Sequence, residues 1–256
     1  DLGQILASEG RGAGGRRRRT LMNGLVVAEV VLSMLLLSGG KDSALACARA
    51  MERGCDVAAI ANFISDDYRR VRFHGTEAGL IAEQADLAGL RLFQRETSAT
   101  GYEEDFKGAM RERVAEGYRG MVFGDIYLEE HRRWVERVCA EVGLEALEPL
   151  WGEPTLDLLM EFIERGFTAV LVSGMKEHIG REWIGGKLDR DFIEYMKGRP
   201  GADPCGERGE YHTFVTGGPI FGGRIEITER EVFERDGFWL LDIKGYKVER
   251  PPLAAQ

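Results

Sequence analysis

The sequence predicts an α/β protein with a doubly wound, mostly parallel sheet and a second, smaller α+β domain. Short apolar runs alternate with amphipathic segments from residue 34 to about residue 175, which is the pattern of successive βαβ units. After that point turn residues accumulate and the alternation ends. The 256 residues are enough for one large or two small domains with a buried core.

Each predicted element follows from its local pattern. Strands are expected where apolar runs occur, at residues 34–37, 57–64, 91–93, 121–123, 146–148 and 169–172. Between them apolar residues recur at helical spacing, with Thr76 as the expected N-cap of the second helix and glycines ending the others. Later strands are expected at 213–215, 224–228 and 238–248. We therefore predict domains at 34–150 and 151–256, after an atypical extension at 1–33.

The composition narrows the classes of function. The formal net charge of −9 at pH 7 predicts no nucleic-acid partner, because affinity for phosphate backbones comes mainly from clustered cations. The four cysteines include no C-x-x-C pair, and no histidine lies at zinc-ligand spacing from them. We therefore expect no zinc site, no disulfide framework and a reducing compartment.

Residues 1–33 differ from the rest of the sequence. Gly10, Gly12 and Gly15 match the dinucleotide-binding pattern, but no strand precedes them and four arginines follow where a helix should begin. The next apolar run resembles a signal peptide, but Glu29 interrupts it and it leads directly into the first predicted strand. We expect an added helix here, or an upstream extension from a misassigned start. No other stretch is long enough to span a membrane, so we expect no membrane partner.

The loop after the first strand is the strongest chemical signal. It combines two glycines, two serines, a cation and a carboxylate: Ser38, Gly39, Gly40, Lys41, Asp42 and Ser43. Paired glycines let the backbone approach a ligand closely, and amides at the start of the following helix form an anion site. A carboxylate beside phosphate implies a bridging Mg²⁺, so Asp42 is a candidate metal ligand. The Walker pattern is absent, which argues against a P-loop NTPase.

Two further loops are expected at the same edge of the sheet. Ligands of open α/β sheets bind at the carboxyl ends of the strands, so Phe63, Gly124 and Asp125 are expected near the nucleotide pyrophosphate that the glycine-rich loop is predicted to bind. Two interpretations of Asp125 stay open. It contacts Mg²⁺ or ribose, or it is the N-cap of the helix that begins near Leu128.

Residues 38–43 resemble the PP-loop of the N-type ATP pyrophosphatases. Longer strings resemble the diphthine–ammonia ligase family of that group: FGDI at 123–126, HRRWVERVC at 131–139, EPLW at 148–151, DPCGERGEYHTF at 203–214 and GPIF at 218–221. The resemblance implies a HUP fold and a cytoplasmic ligase. This ligase would use ATP, Mg²⁺ and ammonium to amidate the carboxylate of diphthine, a modified histidine on elongation factor 2, and would release AMP and pyrophosphate.

The resemblance also implies roles for single residues. Lys41 and Asp42 would be catalytic at the phosphates, and His74, part of a His-Gly pair that the family shares, would contact phosphate or substrate rather than cap a turn. Residues 68–75 otherwise look closer to bacterial relatives. The alternative to a diphthine–ammonia ligase is therefore an N-type ATP pyrophosphatase that amidates an unidentified small carboxylate. A homo-oligomer is left open.

A second catalytic group is expected in the C-terminal half. Glu207, Glu210 and His212 fall within six residues. Ammonium must lose a proton before it attacks, so these residues are candidates to orient ammonium or to hold the acceptor carboxylate through a cation. The other interpretation is a solvated turn before a strand. For Cys205 a structural role is preferred to sulfur transfer, because no second cysteine is placed to resolve a persulfide.

Overall fold

The computed structural model describes residues 31–65, 77–97 and 101–251. Its first half alternates strands and helices: β1 (Leu32–Leu36), α1 (Lys41–Glu52), β2 (Asp56–Ser65), α2 (Ala78–Ala88), β3 (Arg91–Thr97), α3 (Tyr102–Ala115), β4 (Gly120–Val122), α4 (Glu129–Val142) and β5 (Glu145–Leu147). All strand pairs are parallel, in the order β3-β2-β1-β4-β5. The predicted doubly wound sheet is confirmed.

The sheet is buried on both faces, which explains why its strands are apolar throughout. In β1, Leu35 packs on the face covered by α1 and α2. Its neighbour Met34 packs on the opposite face, with Phe106 of α3 and Val138 of α4. The helices therefore change faces between β1 and β4. A crevice is expected at this switch point, at the carboxyl ends of the strands.

The second half forms a closed antiparallel barrel with two helices. Its elements are α5 (Thr155–Glu164), β6 (Thr168–Met175), a 3₁₀ turn (Arg181–Trp183), α6 (Arg190–Lys197), β7 (Tyr211–Gly217), β8 (Arg224–Arg235) and β9 (Phe238–Glu249). The barrel order is β6-β7-β8-β9, so the predicted second α+β unit is confirmed. Strand β8 is longer than predicted because pairing with β9 extends it through charged residues that hide the apolar alternation.

One continuous core joins the barrel to the sheet. Phe214 and Val215 of β7 lie in the same buried cluster as Ala44 and Leu45 of α1. Strand β7 therefore runs beside the turn that precedes α1. Within the described ranges, every helix is too short or too polar to cross a membrane.

Three predictions concern residues outside the described ranges. They are almost all of the 1–33 extension, His74, and Thr76 as an N-cap. Glu77 occupies the N-cap position of α2, and no side chain caps that helix. The expectation for Thr76 is therefore wrong by one residue.

Candidate active site

Glycine shapes the turn between β1 and α1. Gly39 has a φ of 87°, in the left-handed region that glycine adopts without steric cost. A Cβ at this position would lie 2.7 Å from Ile81 Cδ1. Gly40 is the N-cap of α1 and provides no capping side chain, so the start of the helix can accept an anion. The hydroxyls of Ser38 and Ser43 lie 3.2 Å apart at the same turn.

The barrel holds this turn in place. Val215 N donates to the carbonyl of Gly39 at 2.9 Å. Gln84 Nε2 donates to that carbonyl at 3.1 Å and to the carbonyl of Val215 at 2.6 Å. Thr213 Oγ1 accepts a hydrogen bond from Lys41 N at 3.0 Å. The conformation of the turn therefore depends on β7 and α2 as well as on its own glycines.

Lys41 is a buried cation that connects the turn to the loop before β7. Its ammonium donates to Asp42 Oδ2 at 2.8 Å and to the carbonyl of Cys205. It also lies 5.1 Å from the centre of the Tyr211 ring. Burial alone would lower the pKa of Lys41, but Asp42, Tyr211 and Cys205 together outweigh burial and the pKa is raised. Lys41 therefore stays charged at neutral pH.

Three carboxylates, those of Asp42, Asp125 and Glu207, face the same space. Burial raises the pKa of Asp42 against the opposing effect of Lys41. Burial, with the charges of Asp42 and Asp125 adding to it, raises the pKa of Glu207 to about 7. Glu207 Oε1 also accepts a hydrogen bond from Ile126 N at 2.9 Å. Crowded, partly desolvated carboxylates favour a bound cation or a shared proton at this place.

Asp125 pairs with a histidine that was not predicted as a site residue. His131 Nδ1 lies 3.3 Å from Asp125 Oδ1, and this hydrogen bond raises the pKa of His131. The interpretation of Asp125 as an N-cap is wrong, because Leu128 is the N-cap of α4 and no side chain caps that helix. The sequence feature that could have identified His131 as a site residue is its position in the HRRW string, six residues after Asp125.

Glu210 does not line the cavity. Its carboxylate accepts hydrogen bonds from Asp203 N at 2.7 Å and from Arg208 N at 3.1 Å. Asp203 Oδ2 in turn accepts from Glu207 N at 3.0 Å. This geometry favours a positioning role for Glu210 over the predicted catalytic one. Asp203 was missed because only the folded loop shows which amides it binds.

His212 lies on β7 and faces the cavity. Burial, with the charge of Lys41 adding to it, lowers the pKa of His212 to about 4. His212 is therefore neutral at physiological pH and is a weak base. Efficient general bases have a pKa near the operating pH, so Glu207 is better suited to that role than His212.

These groups line a cavity of about 720 Å³ at the switch point of the sheet, a size typical of small-molecule sites. Gly39 and Glu210 are not in its lining, and Arg208 lines it without having been predicted. The predicted site residues that line it are Ser38, Gly40, Lys41, Asp42, Ser43, Phe63, Gly124, Asp125, Glu207 and His212.

One wall of the cavity is aromatic. The rings of Tyr102 and Trp134 stack with centroids 5.7 Å apart, and Phe63 meets Tyr102 edge-on at 5.6 Å. Trp134 Nε1 donates to Glu103 Oε2 at 2.9 Å. Flat apolar surfaces of this kind suit a nucleobase. The sequence pattern does not separate these aromatic residues from ordinary core residues.

Gly124 fits only because it has no side chain. A Cβ there would lie 2.9 Å from backbone atoms of Asp42 and Ser43 at the start of α1. We expect Gly124→Ala to displace this turn and to lower kcat/KM for ATP, the substrate that the resemblance of residues 38–43 implies, by about 10²-fold, as misplacing reacting groups by about 1 Å does. Steady-state AMP formation at varied ATP concentrations measures this.

The matched control for that variant is Gly108→Ala. Gly108 lies inside α3, and the nearest atom to an added Cβ is Arg95 Nη2 at 3.9 Å. Alanine is favoured over glycine in a helix by about 1 kcal/mol, so this control keeps its activity and gains stability. Equal kcat/KM for the Gly124 and Gly108 variants would show that the close contact between the β4 loop and α1 is not needed.

Cys205 is buried, and burial raises the pKa of its thiol well above the ordinary value. Its Sγ lies 3.0 Å from the carbonyl oxygen of Thr155. We expect Cys205→Ala to keep AMP formation and to lose about 1 kcal/mol of stability, as judged by turnover and urea unfolding. Cys139→Ala, at another buried cysteine, is the control. Loss of turnover in the Cys205 variant alone, with its fold intact, would instead assign thiol chemistry to this residue.

A parallel sheet with an anion-binding turn at its switch point and an accessory barrel defines a nucleotide-binding α/β enzyme. Family models agree with this class. The model described as "Diphthamide synthase N-terminal domain" matches residues 31–146, and that described as "Diphthamide synthase C-terminal domain" matches residues 154–250. The chain belongs to the diphthamide synthase family. The predicted family is confirmed, and with it an enzyme of the ATP-dependent ligase class.

Individual relatives are similar over most of this chain. The diphthine–ammonia ligase of Danio rerio is 27% identical over 231 residues, covering 79% of this chain and 89% of the relative. That of Homo sapiens is 28% identical over 224 residues, covering 77% and 83%. That of Schizosaccharomyces pombe is 26% identical over 220 residues, covering 78% of this chain but 36% of the relative. The chain thus spans only about a third of the fission yeast protein.

Among the solved structures that are similar is one with a TM-score of 0.41 and 14% identity over 74% of this chain and 98% of that chain. It is described as a predicted subunit of tRNA methyltransferase from Methanocaldococcus jannaschii. This similarity is too weak to indicate the fold or the function of this chain.

Proposed function

We propose that the chain is an ATP-dependent ligase that joins ammonia to the carboxylate of diphthine on elongation factor 2. The observation that carries this proposal is a single cavity lined both by residues of the anion-binding turn at 38–43 and by Glu207. Adenylation needs a phosphate site and amidation needs a base, and holding both reactants in one cavity makes the two steps effectively intramolecular. The relatives named diphthine–ammonia ligase support this acceptor.

The groups at the start of α1 are proposed to bind the phosphates of ATP. Lys41 contributes a fixed positive charge, and Ser38 and Ser43 contribute hydroxyl donors. Negative charge develops on the departing pyrophosphate as the acceptor carboxylate attacks the α-phosphorus. Preorganised donors stabilise such charge without reorganisation at the moment of reaction.

Asp42 and Asp125 are the residues that would hold Mg²⁺. Both line the cavity, and burial raises the pKa of Asp42, so a cation is favourable there. Among the described residues no group of three or more His, Cys, Asp or Glu side chains is gathered for a metal. This donor set suits Mg²⁺, which binds one or two carboxylates and completes its shell with phosphates and water. When bound, the ion supplies charge neutralisation between these carboxylates and the phosphates.

Glu207 is proposed as the general base of the second step. It takes a proton from ammonium, and the resulting ammonia attacks the acyl carbon of the adenylate. AMP leaves with the electron pair of the acyl–oxygen bond, and the second proton of the amine passes to solvent. A base with a pKa of about 7 is half deprotonated near neutral pH, as such a step requires.

The division of labour is proposed to follow the chain. Residues 34–150 would bind ATP and residues 151–256 would cover the site and select the acceptor, since Lys41 lies in the first part and Glu207 in the second. The cytoplasmic location stays a prediction, and the oligomeric state stays open. The alternative of a small carboxylate acceptor has no observation in its favour.

The test uses the full chain with ATP, Mg²⁺, ammonium and elongation factor 2 that carries diphthine. The expected result is AMP formation together with the small mass decrease that replacing a hydroxyl by an amino group causes. Elongation factor without the diphthine modification is the control and is expected to give neither signal. AMP formation that ignores the diphthine-bearing factor would contradict the proposed acceptor.

A further inference from the structure

Two fixed cations, Lys41 and Arg208, and a histidine with a raised pKa, His131, line the cavity within the part of the chain that the structure describes. Lys41 is engaged by Asp42, and His131 is engaged by Asp125. Arg208, the third, contacts no carboxylate in the described ranges; its guanidinium lies 5.9 Å from the centre of the Tyr127 ring. It is exposed and in the cavity lining. The guanidinium of Arg208 is thus a cation whose donors are available to a ligand.

The backbone around Arg208 is held rigidly although its side chain is exposed. The Asp203 carboxylate accepts from Cys205 N at 3.3 Å and from Glu207 N at 3.0 Å. The Glu210 carboxylate accepts from Arg208 N itself at 3.1 Å and from Asp203 N at 2.7 Å. Two buried carboxylates therefore fix the loop that presents Arg208. Groups on a preorganised backbone lose less entropy when they bind a ligand.

Arg208 follows the proposed base Glu207 in the loop before β7, whereas the phosphate-binding turn lies between β1 and α1, and both line the same cavity. An anion bound by Arg208 would therefore be held by the loop that carries the base of the amidation step. A guanidinium presents paired donors that match the two oxygens of a carboxylate.

We propose that Arg208 binds the carboxylate of the acceptor and holds it for attack on the α-phosphorus of ATP. This inference rests on the proposed function and adds to it the residue that recognises the carboxylate of the acceptor. The guanidinium forms and breaks no covalent bond in the reaction. One acceptor oxygen bonds to phosphorus as pyrophosphate leaves, and the other keeps its hydrogen bond to Arg208.

The test compares Arg208→Gln and Arg208→Lys with the parent in the AMP-forming assay on diphthine-bearing elongation factor 2. We expect Arg208→Gln to raise KM for the factor by about ten- to a hundred-fold, the effect of losing a charge-assisted hydrogen bond, and to leave KM for ATP unchanged. Arg208→Lys recovers part of the loss, because it restores the charge without the paired donors. The control is Arg190→Gln, an exposed arginine of α6 that pairs with Glu164 at 3.2 Å.

The outcomes separate the two proposals. If the parent chain forms no AMP with the factor, the proposed function is overturned. The inference about Arg208 then falls with it, before any variant is compared. A higher KM for ATP with an unchanged KM for the factor would assign Arg208 to the phosphates and overturn the inference. Unchanged values of both would overturn it too. Melting temperatures equal to the parent's exclude a folding defect in the variants.

Discussion

Replacing Asp42 by asparagine is expected to reduce AMP formation by about 10²- to 10³-fold, the loss typical of removing one preorganised electrostatic group. The amide keeps the shape of the side chain but removes the charge that pairs with Lys41 at 2.8 Å. It also removes the carboxylate proposed to hold Mg²⁺ beside the phosphates. Both the position of the lysine and the affinity for Mg²⁺–ATP therefore suffer. Initial rates of AMP formation and acceptor-dependent ATP–pyrophosphate exchange measure the effect.

The control for Asp42→Asn is Asp157→Asn. Both aspartates lie in the first turn of a helix, α1 for Asp42 and α5 for Asp157, so both substitutions remove the same favourable charge at a helix N-terminus, worth about 0.3–1 kcal/mol. Asp157 is exposed and is not in the cavity lining. A loss of activity confined to the Asp42 variant isolates its role in the cavity. Full ATP–pyrophosphate exchange by Asp42→Asn would contradict that role.

The buried ion pair between Lys41 and Asp42 also affects stability. A loss of activity in Asp42→Asn could therefore come from lost chemistry or from a destabilised fold. In Asp42→Asn the ammonium of Lys41 keeps its bond to the Cys205 carbonyl but loses its counter-ion. A buried charge without its partner is destabilising. Melting curves of the variant therefore belong beside its rates. A variant that is folded at the assay temperature and still inactive has lost chemistry rather than structure.

The sequence predicted the part of the site that depends on local order along the chain. A strand followed by glycines and a helix specifies an anion-binding turn, and parallel topology places Asp125 at the same edge. The contacts between distant segments could not be predicted. The bond from Ile126 N to Glu207 and that from Lys41 to the Cys205 carbonyl join the sheet to the barrel loop, and they exist only once the barrel has packed on α1.

The same distinction explains the misjudged residues. Glu210 and Glu207 look equivalent in the sequence, yet the folded loop turns one carboxylate onto backbone amides and leaves the other facing the cavity. The extent of β8 was underestimated because its stability comes from pairing with β9 rather than from an apolar face. Local pattern identifies an element, but long-range pairing decides where it ends and what its side chains contact.

Replacing Glu207 by glutamine tests the base directly. Because burial raises the pKa of Glu207 to about 7, the parent's kcat is expected to rise as pH increases through this value and then to level off, since only the carboxylate accepts a proton. Glu207→Gln should lower kcat by about 10²- to 10⁴-fold and lose the inflection. The assay uses ammonium at saturating concentration at each pH, so that the supply of nucleophile does not shape the profile.

The same substitution has an opposite expected effect on stability. The pKa of Glu207 is about 7 in the folded chain and 4.5 in the reference state, so between these values the folded state binds more protons. The free energy of unfolding therefore falls as pH rises through that window and stays lower above it. Glutamine does not titrate, so at pH 8 the variant should exceed the parent's stability by about 1–3 kcal/mol after discounting for partial exposure.

Urea unfolding at pH 5 and pH 8 measures this difference, and Glu231→Gln, the same substitution at an exposed glutamate of β8, is the control. Replacing a residue with a purely structural role lowers the stability of the protein, and activity is then lost because the protein unfolds. A variant that loses activity but gains stability at high pH shows that the carboxylate lowers stability in the parent and is retained for its role in the reaction. A Glu207→Gln variant that is less stable than the parent at pH 8 would contradict this account of the base.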